Sequence, residues 1–385
     1  MNSPAPAFTE MSEESPHSIA SASASKSYSQ CPEKVLIRVP NWVGDAVMAL
    51  PALRELRRIF GGSHITLAAR PWVHGLFDGE GLADGFIPIA DARGPLGRAP
   101  LLISEASRFR RERFDLAVLL TNSFGSALAA RAGGAKQIAG YATDARRVLL
   151  NQVIPFEPGY KTFHQVRYYL NISARIETRI TGANSVDFEH CEPHLEADET
   201  QRQNARSLLQ RFGVEVEAGQ ARILVINPGA TNSTAKRWPA ERFAKTADRL
   251  AQYHGFRTVI VGTPGDKPVA EEVAREMQNQ AAVIAGETSI AELKGVLACA
   301  QLVISNDTGT SHVAAALGVP TVVVFGPTEH VSTRPLSRLA AVVRHDVECS
   351  PCMLRECPID HRCMRRVEVD DVTAAAQTLL ASTAG

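Results

Sequence analysis

Val35-Leu36-Ile37-Arg38-Val39-Pro40-Asn41-Trp42-Val43-Gly44-Asp45-Ala46-Val47-Met48 runs from an apolar, β-branched stretch through a turn into a segment with helical spacing. The stretch predicts a buried strand, Val35–Val39, feeding a helix over Ala46–Phe60, and a strand-to-helix turn of this kind is where open α/β sheets bind ligands. Gly44 can supply the unusual backbone angle of a tight turn. Asp45 then has two readings. It caps the free N–H groups at the helix start, or it faces a substrate as a base.

The same alternation continues along the chain. Apolar runs at Ile65–Ala68, Leu116–Leu120 and Gln137–Gly140, then at Ile223–Asn227, Thr258–Val261, Val283–Ala285, Leu302–Ser305 and Thr321–Phe325, are separated by helical patterns. Strands alternating with helices predict a parallel sheet in each half. Ala46, Ala49, Leu50, Leu53, Leu56 and Ile59 share one helical face, which Pro51 interrupts and kinks. Between the halves, Thr181–Gln220 holds the acidic stretch Asp187–Thr200, the turn-rich Val214–Gln220 and a short helix at Glu199–Arg211. The division expected is a disordered tail over 1–32, a first Rossmann-like domain over 33–185, an interdomain region over 186–220, a second Rossmann-like domain over 221–345, and a Cys-rich segment with a terminal helix over 346–385. That helix, Val372–Leu380, is expected to pack back toward the first domain.

At 385 residues the chain exceeds what one core usually supports. Lys plus Arg and Asp plus Glu both total 41, so no global charge argues for nucleic acid or a polybasic membrane anchor. Residues 1–30 are rich in Ser, Ala and Pro and never assemble the apolar core of a signal peptide, and no run reaches the roughly 18 to 20 apolar residues of a membrane span. A cytoplasmic chain with reduced thiols is the expectation.

Two more blocks carry chemistry. Asn227-Pro228-Gly229-Ala230-Thr231-Asn232 leaves a strand on a turn in which Gly229 permits close backbone approach and Thr231 offers a hydroxyl to phosphate oxygens. Lys236 follows, then Arg237-Trp238-Pro239. An ammonium beside a diphosphate leaving group neutralises charge that grows as the glycosidic bond breaks, and the alternative is a pair of solvated charges before a helix. Ser305-Asn306-Asp307-Thr308-Gly309-Thr310-Ser311-His312 leaves another strand and opens a helix whose free N–H groups and dipole suit an anion. Here the alternative is that Asp307 or Thr308 only caps the helix while His312 packs.

These three blocks, in this order, resemble the motifs of the ADP-heptose:lipopolysaccharide heptosyltransferases, glycosyltransferase family nine, and the Trp-Val-Gly-Asp form is most similar to its heptosyltransferase II branch. The resemblance spans residues 35 to about 330. It implies a GT-B architecture, two Rossmann-like domains facing a central cleft, with the acceptor on the first and the nucleotide-sugar on the second. It implies an inverting transfer of heptose from ADP-heptose to a heptosyl-Kdo-lipid A core lying at the inner membrane face. Asp45 would then be the base, and Lys236 the charge partner of the leaving nucleotide. Thr231, Asn232, Asp266, Asp307, Thr308, Gly309 and His312 would line the donor site. Other sugar donors, and a binder that has lost catalysis, remain open alternatives.

No Asp-x-Asp occurs, so the sequence carries no sign of the metal-chelating motif of the other main glycosyltransferase architecture, and no metal or cofactor is expected to be required. No Gly-x-Gly-x-x-Gly follows a strand and no P-loop motif occurs, which argues against dinucleotide oxidoreductases and P-loop enzymes. Arg146, Arg147 and His164 are candidates for an acceptor bearing phosphates and carboxylates, with solvated surface charge as the alternative. Cys349, Cys352, Cys357 and Cys363, with His361 among them, fit neither a zinc ribbon nor a ferredoxin spacing, and reduced, partly buried thiols are expected.

Overall fold

The structure is a computed structural model that describes residues 31–90, 98–215, 222–231 and 233–383. Six strands form the first sheet: β1 (Lys34–Arg38), β2 (His64–Ala69), β3 (Gly85–Pro88), β4 (Leu116–Leu119), β5 (Gln137–Tyr141) and β6 (Gln152–Ile154). The second contains β7 (Arg222–Asn227), β8 (Phe256–Ile260), β9 (Ala281–Val283), β10 (Leu302–Asn306), β11 (Thr321–Val324) and β12 (Ala340–Val343). Their spatial orders are β3-β2-β1-β4-β5-β6 and β12-β11-β10-β7-β8-β9, which is one doubly wound topology used twice. Every pairing is parallel, with Val35 opposite both Ile65 and Leu116 in the first sheet, and Leu302 opposite Leu224 in the second. The strand order reverses between β1 and β4 and between β7 and β10, so the crevices suited to ligands open at the carboxyl ends of these strands.

β1 and β7 are buried along almost their whole length, which is why both read as unbroken apolar runs. The helix expected over Ala46–Phe60 is two helices, Val43–Met48 and Leu50–Ile59, meeting at Ala49. Pro51 sits in the first turn of the second, where its missing N–H costs nothing, and the chain re-initiates there instead of kinking. The strand expected at Val283–Ala285 lies two residues earlier.

One apolar cluster runs across both halves, from Leu50, Leu56 and Tyr169 to Val296, Val303 and Val313. The helix Glu199–Arg211, opened by an Asp198–Gln201 capping box, packs on the helix Ile290–Ala298 of the second half. Gly295 permits that approach, since a Cβ there would stand 2.5 Å from the Gln201 carbonyl. The terminal helix, Val369–Thr383, does not return to the first half as expected. It packs on the helix Ala240–His254 and on β11 and β12, burying Val372, Ala376, Leu379 and Leu380 in the second half's own outer core.

A buried ion pair also ties the halves. Lys294 and Glu80, 0 % and 2 % exposed in their side chains, stand 2.8 Å apart, and Arg54 meets the other Glu80 oxygen at 2.9 Å. The Lys294 ammonium also donates to the carbonyls of Asp78 and Leu76.

Candidate active site

Asp45 lies within the helix Val43–Met48, whose N-cap is Trp42, and no side-chain cap bond is made there. Capping therefore does not explain the carboxylate. Its side chain instead accepts a 3.5 Å hydrogen bond from the Tyr169 hydroxyl. Burial pushes the Asp45 carboxyl above its ordinary range, the Tyr169 hydroxyl and Lys236 ammonium oppose this, and Asp307 adds to it. Gly44 is not in the left-handed backbone region, contrary to the turn reading. Its missing side chain makes room for another residue: a Cβ would stand 3.1 Å from His312 Cδ2.

That histidine belongs to the helix Gly309–Ala316 in the second half, which packs directly on Val43–Met48. Gly309 is equally constrained, since a Cβ there would lie 2.7 Å from Val43 Cβ and 3.2 Å from the Gly44 nitrogen. His312 is enclosed by this contact. Burial pushes its imidazole down to about 4, against the Asp307 carboxylate and with the help of His164 and Lys236, so it is neutral near pH 7.

Lys236 ends the short turn Thr234–Lys236 and donates to Asp307 Oδ2 at 2.7 Å. Thr328 donates to the same oxygen at 2.7 Å. Asp307 is thus held by a cation and a hydroxyl and caps no helix. Thr308 is the N-cap of Gly309–Ala316 but makes no side-chain cap bond; its hydroxyl accepts from Asn227 Nδ2 at 3.0 Å and meets Ser305 Oγ at 3.1 Å.

Asn227 and Asn306 stand in the motif blocks, but the sequence reading gives them no role. Asn227 Nδ2 also donates to Thr310 Oγ1, while Asn306 Nδ2 donates to the Pro228 carbonyl at 2.8 Å and its Oδ1 accepts from the Trp238 N–H at 3.0 Å. Both end buried parallel strands, and a polar residue closing an apolar run is the signal that could have found them. Tyr169, on the helix Gln165–Thr181, left no such signal.

Thr231 is exposed, and its hydroxyl lies 3.4 Å from both Thr263 Oγ1 and Asp266 Oδ2. Asp266 is buried: it accepts from the Thr263 hydroxyl at 2.7 Å, pairs with Arg237 at 3.5 Å, and occupies the space a Gly229 side chain would need. Asn232 lies outside the described residues.

The acceptor candidates separate. Arg146 has no exposed surface, and its guanidinium donates to the carbonyls of Tyr141 and Thr121, so it braces the strand ends and is not placed to meet an acceptor. His164 is spent between the halves: its Nε2–H donates to the Arg334 carbonyl at 2.7 Å while Nδ1 accepts from the Val166 N–H. Burial holds its imidazole below the usual value. Arg147 remains exposed.

All seven cysteines are unpaired. Cys363 is buried and Cys352 exposed, and among the described residues no group of three or more His, Cys, Asp or Glu is gathered as a metal-ligand set. Nor is any described helix long and apolar enough to cross a membrane.

Two Rossmann-like sheets, with the half-buried Asp45 beside one and Lys236 and a helix start beside the other, give the GT-B architecture. The model of glycosyltransferase family 9 (heptosyltransferase) matches residues 104–362, and the chain belongs to that family. It is 29 % identical to lipopolysaccharide heptosyltransferase 2 of Escherichia coli K12 over 320 residues, 81 % of this chain and 88 % of the relative. It is likewise 29 % identical to lipooligosaccharide heptosyltransferase 2 of Campylobacter jejuni over 354 residues, 90 % and 98 % of the two chains. The solved structure of E. coli ADP-heptose lipopolysaccharide heptosyltransferase II shares the fold, with a TM-score of 0.73 at 24 % identity over 91 % of this chain and all of that one.

Proposed function

We propose that this enzyme transfers heptose, with inversion, from ADP-heptose to the heptosyl-Kdo-lipid A inner core of lipopolysaccharide. The observation that carries the reading is the meeting of Asp45, raised in pKa and without a capping role, with the Lys236–Asp307 pair and the start of the helix Gly309–Ala316. The relatives' names supply the sugar and acceptor class.

An acceptor hydroxyl oxygen attacks the anomeric carbon from the face opposite the diphosphate. Asp45 takes its proton as the new C–O bond forms. The anomeric carbon–oxygen bond to the phosphate breaks, and Lys236, leaving Asp307 for the phosphate oxygens, neutralises the charge gathering on departing ADP. The unbonded N–H groups of a helix start favour the same anion. Thr231 serves as a phosphate ligand, Thr308 and Gly309 shape the helix start, Asp266 holds Thr231 and Arg237 in place, and exposed Arg147 is the remaining candidate for acceptor anions. Transfer takes place at the cytoplasmic face of the inner membrane, with no metal required.

Incubation of purified protein with ADP-heptose and a truncated, singly heptosylated core, read by mass spectrometry, should show gain of one heptose, and EDTA should not stop it. Tight ADP-heptose binding with no transfer would overturn the assignment in favour of a binder. Loss in EDTA restored by magnesium would overturn the metal-free transfer.

A further inference from the structure

The Cys-rich segment 349–363 does not hang free of the site. The Arg355 carbonyl accepts from the Ala235 N–H at 3.1 Å, from Ser233 Oγ at 3.3 Å and from Thr234 Oγ1 at 3.5 Å. His361 Nε2 lies 2.5 Å from the Ala235 carbonyl, and since a carbonyl only accepts, the imidazole donates. Both backbone polar groups of buried Ala235, the residue before Lys236, are therefore bonded to this one segment. The segment's other end is fixed as well: the Cys352 and Met353 N–H groups donate to the Pro327 carbonyl at 3.0 and 2.8 Å, and Ser350 Oγ to Gly326 at 2.6 Å. Next to Pro327 stands Thr328, the hydroxyl partner of Asp307.

We propose that this segment is a strap that positions Lys236 against Asp307, and that His361 is its positioning residue, acting on transfer through the Ala235 carbonyl. The inference rests on the reading of Lys236 as the partner of the leaving diphosphate. His361 touches no reacting atom. Its backbone is in the left-handed region, at a φ of 60°, and its side chain reaches the Lys236 turn at the Ala235 carbonyl. Its own N–H donates to Cys357 Sγ at 3.3 Å, so one residue links the cysteine loop to the turn.

The test is a double-mutant cycle on the full chain. His361→Gly removes the imidazole while easing the left-handed backbone, so the fold is not penalised there. It should lower kcat about tenfold, the rate equivalent of one lost hydrogen bond, with donor KM changed less than threefold. His361→Asn, which tolerates the same backbone but stops short of Ala235, should behave alike, and His361→Gln, with an amide N–H at longer reach, should recover most of the rate. In a Lys236→Ala background the His361→Gly change should have no further effect. Equal losses in both backgrounds, unchanged kcat in whichever of the Gly and Asn variants folds, or collapse of both variants with no rescue by Gln would overturn the proposal and leave His361 a stability residue. Undiminished turnover in Lys236→Ala alone would instead overturn the reading of Lys236.

Discussion

Asp45→Asn separates a base from a structural carboxylate with one substitution. The amide keeps the volume and can still accept from Tyr169, so packing around the Val43–Met48 helix is retained. It cannot take a proton from the acceptor. Losing a positioned base costs roughly 10² to 10⁴ in turnover, or about 3 to 5 kcal/mol of transition-state stabilisation. Stability should move the other way. Because burial raises the Asp45 pKa, the folded chain holds a proton that the unfolded chain has already released between the ordinary and the raised value. Stability is therefore lost as pH rises through that window, and at pH 7 the buried charge is a net cost that a neutral amide removes. The variant should show a higher Tm by calorimetry at pH 7.5, unchanged ADP affinity by titration calorimetry, and a kcat lower by at least two orders of magnitude. The reasoning is refuted if the Tm falls by the equivalent of a lost helix cap, about 0.5 to 2 kcal/mol, while the folded fraction keeps full activity.

Tyr169→Phe removes the hydrogen bond that holds the Asp45 pKa down, so the acid limb of the kcat profile should move to higher pH; a limb in its original place would detach Tyr169 from the base. His312 is held neutral with a pKa near 4 against an ordinary 6.5, so its contribution to stability is complete above about pH 6.5 and disappears as pH falls toward 4. That is about 3 kcal/mol across the window, and urea titrations should show this part of the slope missing in His312→Gln. Lys294→Met leaves Glu80 buried with only Arg54 as a charged partner and should destabilise the chain by about 3 to 5 kcal/mol in denaturant unfolding, a loss that Glu80→Gln added to it should partly reverse.

The central strands were legible because strands buried on both faces must be continuously apolar, as Val35–Val39 and Ile223–Asn227 are. The edge strands β3, β6 and β12 were not. Gly85–Pro88 and Gln152–Ile154 are four and three residues long and carry Gly, Pro or Gln, so no unbroken apolar run announces them, whereas Ala340–Val343 is a short apolar run, half-buried along its length, that the sequence reading passed over. The candidate site was legible where a candidate residue lay in the segment that follows a strand, as Asp45, Lys236 and Asp307 do. It was illegible where a side chain's role depends on what approaches from elsewhere in the chain. Arg146 and Arg147 are neighbours of identical type, yet one is enclosed by carbonyls and the other faces water. His164 read as a candidate contact for acceptor anions, but the carbonyl of Arg334, 170 residues away, claims it.

The motif glycines follow the same logic. Gly44 was read as a turn residue and Gly229 as a point of close approach, and neither these two nor Gly309 has a left-handed φ. Each is glycine because another part of the site occupies the space of its side chain: His312 over Gly44, Asp266 over Gly229, and Val43 with the Gly44 backbone over Gly309. Gly44 and Gly309 form one reciprocal contact, since each block supplies the atoms that exclude a Cβ from the other. The Asp45 helix and the helix at the Lys236–Asp307 site can approach this closely only if both keep a glycine at the crossing. The proposed base on one sheet and the proposed leaving-group site on the other would need such closeness to act on a single bond, because reacting atoms have to stand about 3 to 3.5 Å apart. The sequence motif thus records the meeting of the two halves of the chain more than the shape of any one turn.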